Sequence, residues 1–195
     1  MKGSRPLSEP EAQAVSAALL ATSYSSRNNA MFILGHRSGF RISELLSLTL
    51  GDVFQNGQIV ERISVARMHM KKKLEGRTVI LHPQAREALR GWVLELTAEF
   101  GSDPGSSLFR SREGGNRPID RRTAWRVLVS AYAKCGLTGK LGTHAMRKTF
   151  AKRVYNKLGK DLVRTQRALG HRNVNSTVSY LSFNEEEIDD AILGS

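Results

Sequence analysis

A single cysteine, Cys135, is all the thiol chemistry that 195 residues contain. An internal disulfide is therefore excluded, which fits a reducing compartment. One cysteine and five scattered histidines also fail to supply the closely spaced sets that a zinc site requires. No apolar run approaches the length of a membrane span, and the opening MKGSRPLSEP has no signal-peptide core. Cytoplasm is the default compartment, with no membrane partner. No copy of G-x-x-x-x-G-K-[ST] occurs, so the common phosphate loop is excluded. Nothing resembles the nucleophile elbow of a serine hydrolase. Paired carboxylates for metal-dependent cleavage are not evident either, because the acids cluster at the C-terminal end, as in EEEIDD at 185–190.

The positive content is basic and globular. Apolar residues make up 40% of the chain, enough for one well-cored domain at this length. Thirty Lys and Arg against eighteen Asp and Glu leave a net charge of +12. Such an imbalance points to a polyanion, either nucleic acid or an anionic membrane surface. The charge is also concentrated. Between Arg147 and Arg172 stand nine basic residues and one acid, Asp161. Two further basic stretches cover 62–77 and 110–126. One such run is usually a solvated face, but three in one small domain make nucleic acid the leading partner.

Periodicity predicts a mixed α/β fold, mainly α-helical with a small antiparallel β-hairpin or sheet. SEPE at 8–11 is a capping box, with a helix to about Ala21 that buries Val15, Ala18 and Leu19. A second helix is expected over about 27–37, stopped near Gly39, and a third from about Arg41 that turns Leu45, Leu46 and Leu48 inward. QIVERISVAR and RTVILH alternate as strands do, around a lysine-tipped turn. Helical spacing returns through Ala85, Leu89, Trp92, Val93, Leu96 and Phe100, with Gly101 as its stop. Asp120 is expected to cap a helix facing inward through Ala124, Val127, Leu128, Ala131 and Cys135. Thr143 is expected to cap the next, which runs through Phe150, Ala151, Val154 and Leu158 to Gly159. Shorter helices over about 161–169 and 175–183 follow, the second carrying Tyr180.

Several residues on this frame suit phosphate chemistry. In SGFRISELLSL, Arg41 opens a helix and Glu44 follows one turn later. The plain alternative is a surface pair worth a few tenths of a kcal/mol, but an arginine at a helix start also offers two parallel donors that never lose charge. THAMRKTFAKR places His144 and Arg147 on one face of a first helical turn, as two donors for one phosphate. Lys71, Lys72 and Lys73 crown the hairpin turn, and a lysine there can swing over a phosphate and give up a proton. In LGHRNVNSTVSY, His171 stands at a helix corner and Tyr180 nine positions later. Each residue alone has a bland reading: a structural histidine, a solvated lysine, a tyrosine at the core rim.

Taken in chain order, Arg41 in GFRISELL, a β-turn lysine, His144-x-x-Arg147, LGH ending at His171, and Tyr180 resemble the catalytic domain of the tyrosine recombinases, or phage integrase family. The resemblance spans about residues 5–185 and implies a largely helical mixed α/β domain. Such domains cut and rejoin double-stranded DNA without a metal or other cofactor. It implies that Arg41 and Arg147 grip the scissile phosphate, with His144 acting between them and His171 hydrogen-bonding the same group. Glu44 matches the acid that buttresses the first arginine. Counting five residues back from Arg77 gives Lys72 as the catalytic lysine, with Lys73 as the runner-up. Tyr180 matches the nucleophile.

The chemistry agrees with that assignment. A phenol is mostly protonated at neutral pH, and cationic donors around a phosphate favour the phenolate and the charge on the non-bridging oxygens. Attack gives a 3′-phosphotyrosyl link and expels a 5′-hydroxyl that needs a proton, which Lys72 would supply. HAMR replaces the family's commoner HALR, and SGFR replaces TGLR, both small packing changes. Residues 1–195 read as one catalytic domain without the separate N-terminal domain that completes a DNA clamp in most members. The chain is then either an excised domain or a naturally short member, as the fimbrial phase-variation recombinases are. The resemblance further implies a homo-oligomer, a tetramer on DNA, and accessory DNA-bending proteins. NEEEIDDAILGS can form a short helix with Ile188, Ala191, Ile192 and Leu193 as an apolar strip, packed on its own domain or on a neighbouring protomer. A type IB topoisomerase-like relaxing enzyme and a non-catalytic DNA-binding protein stand as alternatives. An RNA-binding module lacks its aromatic stacking motif here.

Overall fold

Ser8 sets the first helix. Its hydroxyl accepts from the Glu11 amide at 3.3 Å while the Glu11 carboxylate accepts from the Ser8 amide at 2.7 Å, the reciprocal capping that SEPE predicts. Helix α1, Glu9–Leu20, buries Ala12, Val15 and Leu19. The computed structural model describes residues 4–65, 77–113, 115–181 and 192–193. They include α2 (Ser25–Ser38), α3 (Ile42–Leu46), α4 (Leu50–Val53), β1 (Phe54–Gln55), β2 (Gln58–Ile59), β3 (Arg62–Val65) and β4 (Arg77–Ile80). Helices α5 (Pro83–Phe100), α6 (Arg121–Lys134), α7 (Thr143–Lys157), α8 (Leu162–Leu169) and α9 (Val174–Leu181) follow. The architecture is mainly helical with small antiparallel sheets. Two compact units divide it within α7, one over Ser4–Phe150 and one from Ala151 onward.

The first unit is built on α2. Its inward residues Ala30, Met31, Phe32 and Leu34 are fully buried, and it packs most extensively on α5 and then on α1. Helix α5 contributes Ala85, Leu89, Trp92, Val93 and Leu96 to the same core. Trp92 keeps its indole N–H satisfied at depth by donating to the Leu108 carbonyl at 2.7 Å. Strands β3 and β4 pair antiparallel in the register Arg62↔Ile80, Ile63↔Val79, Ser64↔Thr78 and Val65↔Arg77. Ile63 and Val79 face each other on the core side, and the Ser64 and Thr78 hydroxyls meet on the other face at 3.4 Å.

Four expectations need correction. Phe100 does not join the α5 core face: it is 37% exposed at the last turn, with the Arg110 guanidinium 4.1 Å over its ring. The helix ends at Gly101, and a cation offers the ring a partner that solvent does not. Thr143 is the first residue of α7 rather than its cap. The single expected hairpin is accompanied by a second two-stranded sheet, β1 with β2, closed by Asn56 and Gly57 at positive φ. Helix α2 also starts two residues early, because its N-cap Tyr24 makes no side-chain capping bond and leaves no sequence signal. The turn carrying Lys71, Lys72 and Lys73 lies outside the described residues, as do Ile188 and Ala191; Ile192 and Leu193 are helical and largely exposed.

Two predictions follow from this packing. Gly39 caps α2 at φ +65, and a Cβ there would lie 2.3 Å from Cδ1 of Phe150, whereas Gly136, also at φ +65, has open space. Both alanine variants carry roughly 1 kcal/mol of left-handed strain, but Gly39→Ala adds a clash and should cost about 2 kcal/mol or more in urea unfolding. Equal losses at the two sites would contradict the packing. The N-terminal segment is held by Arg5, which donates to both Glu11 oxygens at 2.9 and 2.6 Å and to the Thr138 carbonyl at 2.8 Å. Arg5 holds the Glu11 carboxyl down at about 2, so its stabilisation is present above the ordinary carboxylate range and is lost as pH falls toward 2. Solvent screening limits it to about 1 kcal/mol. Glu11→Gln should flatten the stability-versus-pH curve in that acid window and nowhere else.

Candidate active site

Arg41 occupies the cap position of α3 in an extended conformation, φ −67 and ψ 148. It does so because α2 stops at Gly39 in the left-handed region and the chain must turn before it can re-enter a helix. Glu44, one turn into α3, then folds back on Arg41. Its Oε2 accepts from the Arg41 amide at 2.8 Å and its Oε1 accepts from Arg41 Nη1 at 2.6 Å. The carboxylate therefore does two things at once, capping α3 and fixing the guanidinium. The Arg41 side chain keeps 38% of its surface exposed, against 13% for Glu44.

Arg147 reaches the same carboxylate from α7. Its Nη1 stands 4.0 Å from Glu44 Oε2 and donates to the Gly39 carbonyl. At 1% exposure it is the largest fully buried side chain of the chain's described residues. Two guanidinium groups thus share one carboxylate, leaving one excess positive charge on three side chains. A buried arginine is tolerated where carboxylate and carbonyl oxygens meet its fork of donors. Phe150 against Gly39 and Met146 against Gly35 fix the register of α7 on α2, and so the depth of Arg147.

His144 does not share this burial. It stands exposed in the first turn of α7, while Arg147 one turn later is enclosed. Positions i and i+3 give neighbouring places on a helix, but that spacing does not fix equal depth: Ala145 and Met146 beside His144 are fully buried while His144 itself is exposed. Lys148, next to Arg147, is mostly buried, and desolvation lowers its ammonium below the ordinary value.

The second unit holds the other two residues. Asp161 caps α8 by accepting from the Arg164 amide at 2.8 Å, and Gly170 ends it at φ 62. The turn delivers His171, whose amide donates to the Gln166 carbonyl and whose own carbonyl accepts from Gln166 Nε2 at 3.0 Å. His171 is 9% exposed. Its ring centre lies 5.1 Å from that of Tyr180, tilted by 57°, and its Nδ1 is 3.0 Å from the Thr177 hydroxyl. Thr177 and Tyr180 stand three residues apart, so one face of α9 carries the residue that orients the imidazole and the phenol packed on it. Sequence reasoning missed Thr177. The available signal was its i−3 spacing from Tyr180, an i, i+3 pair on one short helix.

The chain is similar to known proteins over most of its length. The sequence pattern of the phage integrase family matches residues 6–187. The probable integrase/recombinase YoeC of Bacillus subtilis (strain 168) is 32% identical over 160 residues, covering 82% of this chain and 80% of its own length. The type 1 fimbriae regulatory protein FimE of Escherichia coli (strain K12) is 29% identical over 187 residues, covering 94% of this chain and 88% of its own. Among solved structures, XerA recombinase superposes with a TM-score of 0.75 at 27% identity, over 99% of this chain and 64% of that one. This chain therefore spans under two thirds of the XerA chain. With the family's pattern matched over residues 6–187, the chain belongs to the phage integrase family, the tyrosine-type site-specific recombinases.

Proposed function

We propose that this chain cuts and rejoins duplex DNA with Tyr180 as nucleophile. The observation that carries the reading is the sharing of Glu44 by Arg41 and the buried Arg147. One excess positive charge, held on rigid elements and desolvated on one side, matches the single negative charge of a phosphodiester. Guanidinium groups grip its non-bridging oxygens and stabilise the added charge of the pentacoordinate transition state. His144, at the start of α7, is a further donor to the same phosphate. His171, oriented by Thr177, is another.

The Tyr180 hydroxyl gives its proton to solvent water, from which the lysine donor regains one after the step, and its oxygen bonds to phosphorus while the bond from phosphorus to the 5′-oxygen breaks. A 3′-phosphotyrosyl link forms, and the departing 5′-oxygen takes a proton from Lys72, with Lys73 as the alternative donor. The phosphodiester energy is kept in the covalent link, so another 5′-hydroxyl can reverse the step on a different strand. The similarity to YoeC, FimE and XerA supports strand exchange as the outcome. The working form on DNA is a homotetramer, assisted by DNA-bending proteins, in the cytoplasm at the nucleoid.

A nicked substrate that traps the covalent intermediate tests the reading, with sites drawn from the ends of the element encoding the chain. The native chain should give a denaturation-resistant protein–DNA band without added metal, and Tyr180→Phe should give none. Binding without a band on any site would favour a non-catalytic DNA-binding protein. Glu44→Gln tests the carrying observation separately. It leaves Arg147 facing an amide in a buried site, and should cost about 1–3 kcal/mol in urea unfolding together with most of the cleavage. Glu87→Gln, whose partner Arg90 is exposed, should change stability by under about 0.5 kcal/mol.

A further inference from the structure

Away from Glu44, positive charge is gathered on two aromatic rings. The Arg27 guanidinium lies 4.7 Å from the centre of the Tyr24 ring, and that of Arg112 lies 4.8 Å from the same centre. Arg110 lies 4.1 Å over Phe100, and its carbonyl accepts from Arg27 Nη1 at 3.0 Å. Tyr24 and Arg27 stand at the start of α2, Phe100 at the end of α5, and Arg110 and Arg112 on the loop after Phe109. All five belong to the first unit, as do Arg41 and Arg147.

The cluster is built but not neutralised. Arg27 is 5% exposed and donates to Asn28 Oδ1 at 3.2 and 3.0 Å, a neutral acceptor. Among the described residues no carboxylate lies within 4.0 Å of Arg27, Arg110 or Arg112. Burial lowers the Arg27 guanidinium from its ordinary value, and Arg112 pushes the same way. Tyr24 meanwhile takes a left-handed backbone, φ 58, which is disfavoured for its type, while both guanidinium groups lie over its ring. Cation–π contacts attract each guanidinium to its ring but leave the charge in place. Packing accounts for the stacking. It does not account for three positive charges without a counter-charge, two of them on the solvent side.

We propose that this cluster is a second contact site for the DNA backbone, taking phosphates outside the cleavage point. The proposal rests on the reading of the chain as a DNA strand-transfer enzyme. A guanidinium stacked on a ring is held flat with its N–H edge outward, the geometry that meets a phosphate with two parallel donors. Helix α2, with 14 residues, separates the cluster from Arg41 by roughly 20 Å at 1.5 Å per residue. That span equals about six base pairs along a duplex at 3.4 Å each, so one DNA molecule can engage both sites.

The test uses a random-sequence duplex of about 40 base pairs, because backbone contacts need no target site. Affinity is measured against salt between about 50 and 200 mM, with unfolding midpoints recorded for each variant. Arg112→Gln should bind several-fold more weakly and lower the log–log salt slope by about one; Arg110→Gln with Arg112→Gln should lower it by about two. Arg90→Gln, on the exposed face of α5, should leave the slope unchanged. A native slope in both cluster variants overturns the proposal, and a native slope with a fallen unfolding midpoint marks the cluster as a structural clamp. If the native chain itself binds no duplex, the DNA reading fails and this proposal fails with it.

Discussion

A carboxylate shared by two arginines is the constraint around which the first unit is arranged. Glu44 can hold Arg41 only because α2 ends where it does, at a glycine whose left-handed backbone turns the chain into α3. It can reach Arg147 only because α7 lies close enough to α2 for Met146 to fill the space over Gly35 and Phe150 the space over Gly39. The Gly39 carbonyl, released from further helical bonding by the same turn, becomes an acceptor for Arg147. Backbone geometry, packing and charge meet in four residues. Losing Glu44, or moving the Gly39 carbonyl, leaves the buried Arg147 facing fewer oxygens, which is the expensive failure in such a site.

The second unit solves a different problem with smaller parts. Helices α8 and α9 are eight residues each, too short to be stable by propensity. Their ends are therefore fixed explicitly, by Asp161 and the left-handed Gly170 for α8 and by the paired bonds between Gln166 and His171 across the corner. The result is an imidazole set by Thr177 and packed on the Tyr180 ring. The proposed attack on phosphorus requires a phenol held in few rotamers, and a neighbouring ring with a hydrogen-bonded partner restricts the Tyr180 ring.

Much of this was legible in the sequence, and the misses have physical reasons. Caps with a residue-type signature read correctly: Ser8 with Glu11, Asp120, Gly170. So did Glu44 as the partner of Arg41, because an acid three residues after a helix cap folds back on the cap residue whatever surrounds the two. Tyr24 as a helix cap did not read, since it caps with backbone alone and in a conformation disfavoured for its type. Phe100 misread because an apolar period says which face turns inward but not where the core stops. The unequal burial of His144 and Arg147 was likewise invisible, because spacing gives direction around the helix axis and not depth along it. Thr177 escaped notice as a small polar residue in a polar run, and only the imidazole beside it gives it a role.

Helix α2 ties these observations together. Its middle, Ala30 to Leu34, is locked into the core, so neither end can slide without disrupting several fully buried side chains. At one end it sets Arg41 through Gly39, and at the other it carries Tyr24 and Arg27. Its sequence therefore reads as core between two basic ends, a pattern that hydrophobic periodicity alone treats as an ordinary buried helix. A buried helix of fixed length between two charge clusters is a ruler, because its rise per residue sets their separation independently of side-chain motion. For a polyanion whose charges recur at a fixed spacing, such a ruler selects which of its phosphates are met together. In this protein the hydrophobic core thus does more than stabilise the fold: by holding α2 in register, it converts packing into the spacing of charge.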